Sequence, residues 1–445
     1  MDHALIVEPL LARCKGVSEN MLPAPARHSV ATASLAIFAQ MREVAREILQ
    51  AKMAVEAQQR RRQDVARCCP DANVRDVHTR TVSPATWCGQ ITIPVRTCQG
   101  GGWGATCRPD DAPLGVPEAG DFTDDGRSLD APVVAERPHR GANDLFERGP
   151  GVALSSRGAQ GIIDRPAEDL RTWQATREPS AAASVADAFD SGHGLADLRV
   201  EIAMEGVMAH IDGRWQAAKV ATMLVRRLEA TPAEPTLGAI RARRDVGGLG
   251  AAEALAACLN HAIREAGWER IPVGEMLGDG AAWIGKVADR HVPGVRQPLD
   301  DDHRSEPLDA FATLQDPGNP AGAKAWVEQN RGALRMNRVG EVLSALKRRR
   351  PWQQAIHDAL AQLIGDVARH RTRIRSQEPW HTGLAVGSGA VEGACTPVIQ
   401  RRFKRAGMRW KPPGFLHVLA WRIARLHGDF RAFWASRGLM IHASR

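Results

Sequence analysis

The chain contains no tyrosine, although it carries 12 tryptophans and 9 phenylalanines among its 445 residues. Such a skew points to mutational bias or to a gene under relaxed selection. No apolar run approaches the roughly 18 residues that span a bilayer. The N-terminus lacks the basic-then-apolar order of a signal peptide, so a cytoplasmic chain with no membrane partner is expected. Eight cysteines do not make a disulfide framework in a chain this long, and no two stand in a C-x-x-C pair. Walker loop, H-E-x-x-H and nucleophile elbow are all missing, which leaves their chemistries without residues.

What the sequence does hold is an ordinary globular composition, 44% hydrophobic and 25% charged, with length for several domains. Its formal net charge is +8. The string GSGAVEGAC (387–395) opens a segment whose one acid up to Gly428 is Glu392. Into that segment fall Arg401, Arg402, Lys404, Arg405, Arg409, Lys411, Arg422 and Arg425. A lone carboxylate at a helix start can hold a metal ion while the cations behind it hold a phosphate backbone. Nucleic acid is therefore the leading partner.

Along the chain, residues 1–67 read as an N-terminal helical segment. Ile37, Met41, Val44, Ile48, Ala51 and Val55 give a helix over 28–67 one apolar face for a core or a dimer. Its basic end, Arg60 to Arg62, could touch phosphate. Residues 68–128 resemble a degenerate zinc ribbon followed by an acidic linker. Cys68, Cys69, Cys88, Cys98 and Cys107 lie among short β-like runs such as Gln90–Val95, but the two close pairs of a ribbon are broken, and structural zinc is not expected. Residues 129–185 offer three short helices, Ala131–Glu136, Ala142–Arg148 and Ser156–Ile163, with Ser155 or Ser156 as N-cap. They read either as a helix-turn-helix or as a helical packing module.

Residues 195–440 read as an α/β domain with a mixed sheet. Val200–Ile211 and Trp215–Val225 are strands around an Asp212-Gly213 turn. Ala251–Ala266 is an amphipathic helix stopped by Gly267. A strand over Ile271–Leu277 leads to Gly278-Asp279-Gly280, and Ala281–Arg290 is again helical. Residues 320–376 form a helical insertion. Glu205 in the first strand, Asp279 past a later one and Glu392 at a helix start stand where such a sheet gathers side chains at one edge. Three converging carboxylates repel unless a cation neutralises them. Two magnesium (or manganese) ions about 4 Å apart would serve in phosphoryl transfer.

GSGAVEGACTPVIQRRFKRAGMRW resembles the C-terminal signature of bacterial insertion-sequence transposases of the DDE class, in the Kra-type group. LGDGAAWIGKVADRHVPGVRQPLDDDH is similar to their central block, and EGVMAHIDGRWQAAKVATMLVRRLE to their first-acid block. The resemblance covers most of the chain and implies an RNase H-like fold. It implies Asp279 as second acid, Glu392 as third, and a supporting pair in Asp300 and His303. Element ends and target DNA would be the substrates, and a homo-oligomer the working form. Where the family has Asp-Gly, this chain has Glu205-Gly206. One extra methylene moves the ligand oxygens by about an ångström, enough to cost roughly a hundredfold in rate. Asp212 lies an odd number of residues on, facing the other side of the strand. A weakened copy is the expectation.

Two rivals stand beside this reading. A non-catalytic DNA-binding protein derived from a transposase would keep the cations and lose the chemistry. A nucleotide-binding enzyme would use GSGAVEG, but its G-x-G-x-x-x-G spacing is one residue too long. Trp410 could stack on a base or pack on Phe403 and Phe415. Cys258 and Cys395 read as packing residues.

Overall fold

The computed structural model describes residues 4–21, 30–59, 74–100, 106–111, 114–117, 122–153, 155–176, 197–228, 239–299, 301–374, 384 and 396–439. It opens with α1 (Ala4–Met21) and α2 (Val30–Gln59). Five short strands follow: β1 (Val74–Val82), β2 (Ala85–Thr86), β3 (Gly89–Gln90), β4 (Ile93–Gly100) and β5 (Thr106–Cys107). Next come α3 (Asp124–Glu136), α4 (His139–Arg148) and α5 (Ser156–Thr176). The chain forms two compact units, Met1–Asp169 with Phe430–Arg445, and Leu170–Asp429.

In the first unit, β1, β4 and β5 form an antiparallel sheet. Alternation along Gln90–Val95 turns Ile91, Ile93 and Val95 inward, against Val82, Val116 and the Leu49 and Met53 side chains of α2. Cys98 stands opposite Cys107 across β4 and β5. Burial pushes the thiols of Cys88 and Cys98 above their ordinary range. Cys68, Cys69 and Arg60 to Arg62 lie outside the described residues.

Of the expected apolar face of α2, Val44 is buried within the chain while Ile37, Met41 and Ile48 are exposed; the sheet packs on Leu49 and Met53. In α5 the Ser155 hydroxyl accepts from Gly158 N–H at 2.9 Å, the N-cap anticipated there. That helix runs past the expected end at Ile163 because Ala167 and Leu170 continue its buried face beyond Pro166.

The second unit is built on β6 (Leu198–Ile211), β7 (Arg214–Arg227), β8 (Ile240–Leu249) and β9 (Val273–Gly278), in the order β8-β7-β6-β9. Neighbours among β6, β7 and β8 are antiparallel, and β9 runs parallel to β6. This is a mixed sheet in an α/β protein. The turn residues Asp212 and Gly213 both have positive φ, 52° and 80°, which matches the twist of a two-residue hairpin. Bridges Glu275–Arg296 and Gly278–Leu299 lay residues 296–299 parallel to the far side of β9.

Between β8 and β9 runs α6 (Ala252–Glu265), followed after β9 by α7 (Ala282–His291). The even positions Val200, Ile202 and Met204 join Met223, Met276, Leu255, Leu259 and Ile284 in one core. Each such buried side chain is worth about 1.5–3 kcal/mol. Four helices come next: α8 (Asp301–Gln315), α9 (Pro320–Arg335), α10 (Val339–Arg348) and α11 (Gln354–Arg369). They share a core of Leu308, Phe311, Val327, Leu346, Leu360 and Leu363, so the helical stretch expected over 320–376 packs together with α8 in one cluster.

The last elements are a π-turn over Thr396–Gln400 leading into α12 (Arg401–Phe403), then α13 (Pro412–His427) and α14 (Asp429–Ser436). Leu419 of α13 lies 3.4 Å from where a Cβ on Gly247 of β8 would stand, so this helix covers the second face of the sheet. That face is polar. Asp245 accepts from the Thr222 hydroxyl at 2.7 Å and pairs with Arg243 at 3.1 Å. His427 accepts the Asp245 backbone N–H through Nε2 at 2.7 Å, on edge strand β8.

Candidate metal and DNA-facing site

Register brings two of the three predicted acids together. On the parallel pair β6–β9, Met204 stands opposite Gly278; Glu205 is the next residue on β6 and Asp279 the first residue past the end of β9. Both are half-buried. Asp279 is pinned by its own turn, Oδ1 accepting the Ala281 N–H at 2.8 Å. Its flanking glycines have separate causes. A Cβ on Gly278 would lie 2.6 Å from Ile284 Cδ1. Gly280 has φ +88°, and a Cβ there would meet Leu299 at 2.9 Å and His370 at 3.1 Å.

Two side chains that sequence reading missed stand at this corner. Arg373 donates to the Gln297 carbonyl at 3.1 Å, and its backbone carbonyl accepts from Leu299 N–H. Burial lowers its pKa, against the opposing pull of Asp279 and Asp289. His370 is also held below its ordinary value, first by burial and then by Arg373 and Arg369. Helical periodicity around α11 gave no sign that its end returns to β9.

Glu392 and Asp300 lie outside the described residues, and His303 is half-buried on α8. Among the described residues no group of three His, Cys, Asp or Glu side chains could hold a metal ion. Two carboxylates at one level of the sheet are hard oxygen donors and fit a magnesium ion, for which one or two protein carboxylates are the usual number. Asp212 is not part of this corner. It sits at the hairpin tip, paired with Lys411 at 2.8 Å, and that hydrogen bond lowers its pKa.

The cationic strip divides in two. Arg401, Lys404, Arg405 and Arg409 are exposed, and Lys411 is exposed while paired to Asp212. Arg402 is corrected: it is fully buried, its guanidinium 4.7 Å from the centre of the Trp410 ring and 3.7 Å from Met408 sulfur. It packs and does not face a phosphate. Trp410 itself packs on Phe403 at 4.9 Å, with Phe415 edge-on, which is the packing alternative. The strip is anchored to the sheet, since Trp410 N–H donates to His210 O and Asp212 N–H to Trp410 O.

Four residues before each acid on its strand stand Glu201 and Glu275, opposite one another and almost fully buried. Glu201 is ion-paired with Arg226. Parity with Glu205 and Asp279 along period-two strands was the signal that could have found them. A cavity of about 520 Å³ lies elsewhere in this unit, between α6, edge strand β8 and α13, and includes Cys258, His261 and Leu419 in its wall. No protein-family model matches the chain, and a search of curated proteins returns no match.

Proposed function

We propose that this chain is a metal-dependent DNA strand-transfer enzyme, a transposase of the DDE class on an RNase H-like domain, weakened by its first acid. The observation that carries the reading is the level placement of Glu205 and Asp279 at the C-terminal end of β9. The strand order, with three antiparallel strands, β9 parallel to β6 and residues 296–299 beyond it, favours an RNase H-like sheet. The sequence blocks around Glu205, Asp279 and Glu392 supply the rest.

Glu205, Asp279 and Glu392 would hold magnesium or manganese. Bound there, such ions supply a lowered pKa for the attacking water or DNA 3′ hydroxyl and charge stabilisation for the leaving oxygen. Asp279 meets this role with one oxygen, since its Oδ1 is held by Ala281. Arg401, Lys404, Arg405 and Arg409 would bind backbone phosphates and register the strand. The N-terminal unit would recognise element ends in a homo-oligomer, because two ends have to be joined.

Glu205 also favours the second reading, a DNA-binding protein that has lost catalysis. The two part in one experiment. Purified chain is incubated with nicked and intact end-bearing DNA, with magnesium or with a chelator. The enzyme reading expects slow strand cleavage that needs the metal. Salt-sensitive binding with no cleavage at any metal concentration supports the second reading instead.

A further inference from the structure

We propose that Glu201 and Glu275 form a buried one-proton site, in which Glu275 keeps its hydrogen opposite an ionised Glu201 on the β6–β9 pair. The two residues are direct register partners, with relative exposures of 1% and 0%. Arg226 of β7 binds Glu201 and balances one negative charge. Neither oxygen of Glu275 meets a hydrogen-bond donor among the described residues. A second ionised carboxylate there would have neither solvent nor a donor, whereas a protonated one carries no charge to solvate.

The charges acting on Glu275 come from three elements: Glu201 on β6, Arg226 on β7 and Arg296 on the bridging segment. Burial first, and then Glu201, push its pKa up to about 8, against the two arginines. A bound cation is a poorer occupant. Arg226 already neutralises Glu201, and no third ligand completes a cluster among the described residues.

The folded chain thus holds a proton that the unfolded chain releases near the ordinary glutamate value of 4.5. The stability this proton contributes is full below 4.5 and is lost as pH rises to about 8. Over that window the unfolding constant grows by about tenfold per pH unit from this group alone. The inference does not depend on whether the chain cuts DNA.

The test measures urea unfolding of the full chain from pH 5 to 9, together with the protonated-carboxyl band in the infrared spectrum. The wild type should lose stability across that range and show the band at pH 6.5, with the band gone above pH 9. Glu275→Gln should lack the band and show a flatter pH profile. An infrared spectrum of the wild type with no protonated carboxyl at pH 6.5 overturns the proposal. So does a Glu275→Gln profile parallel to that of the wild type. If the variant does not fold, the wild-type band decides alone.

Discussion

Glu205 and Asp279 stand side by side on parallel strands because Met204 is paired with Gly278 and each acid comes one residue later. That relationship makes the length of residue 205 consequential. An aspartate there would draw its oxygens back by about one ångström, a displacement that can change rates about a hundredfold. Glu205→Asp is therefore expected to speed magnesium-dependent strand cleavage by about tenfold or more, measured on end-bearing DNA. An unchanged rate would mean that the extra methylene is already accommodated.

Asp279→Asn keeps an oxygen for the Ala281 N–H and removes the charge. Strand cleavage should fall by at least about a hundredfold, while DNA affinity in a chelator stays as in the wild type. A gel-shift titration beside the cleavage assay separates the two effects.

Within the cationic strip, exposure sets the expected response. Arg401→Ala or Arg405→Ala should weaken DNA binding and lower the slope of log affinity against log salt by about 0.9 for each phosphate no longer neutralised. Arg402→Ala should leave that slope alone and cost about 2–4 kcal/mol of stability, as for other large buried side chains truncated to alanine. Binding isotherms at several salt concentrations and urea melts check both.

Gly280→Ala places a methyl where φ is +88° and Leu299 and His370 already crowd the turn. The cost is about 1–3 kcal/mol, read from the urea midpoint. Its effect on cleavage should exceed its effect on DNA binding, because the turn it strains is the one that aims Asp279.

Asp245 gives an acid-side prediction. Burial pushes its carboxyl upward, but the hydrogen bond from the Thr222 hydroxyl and the charge of Arg243 outweigh this and hold it below its ordinary value of 3.8. A depressed carboxylate stabilises the fold above its ordinary value of 3.8 and loses that contribution as pH falls through its folded value. Asp245→Asn should flatten the loss of stability below pH 4 and lower stability at neutral pH, measured by thermal melts across pH 2 to 7.

Much of the second unit was legible in the sequence. The strands around Asp212-Gly213, the helix stopped by Gly267 and the Asp279 turn all carry strong local signals, and each is present. Strand β8 was missed. Ile240–Leu249 reads IRARRDVGGL, whose arginines and paired glycines show no alternation, and its pairing with β7 supplies what its composition does not. Helix α8 is hidden in the sequence, since Pro307 inside it interrupts the pattern that Leu308 and Phe311 complete. Arg402 shows a different limit. A run of cations looks uniform in sequence, and only the packing of Trp410 and Phe403 decides which one turns inward.

The imidazole of His427 has a further effect through its bond to Asp245 N–H. Strand β8 borders the sheet, and a foreign segment adding there would need that amide for its own ladder. With the amide already engaged by a side chain from the covering helix, self-association by strand addition is blocked at that point. Replacing His427 would free that amide and open this point of the edge to a pairing strand.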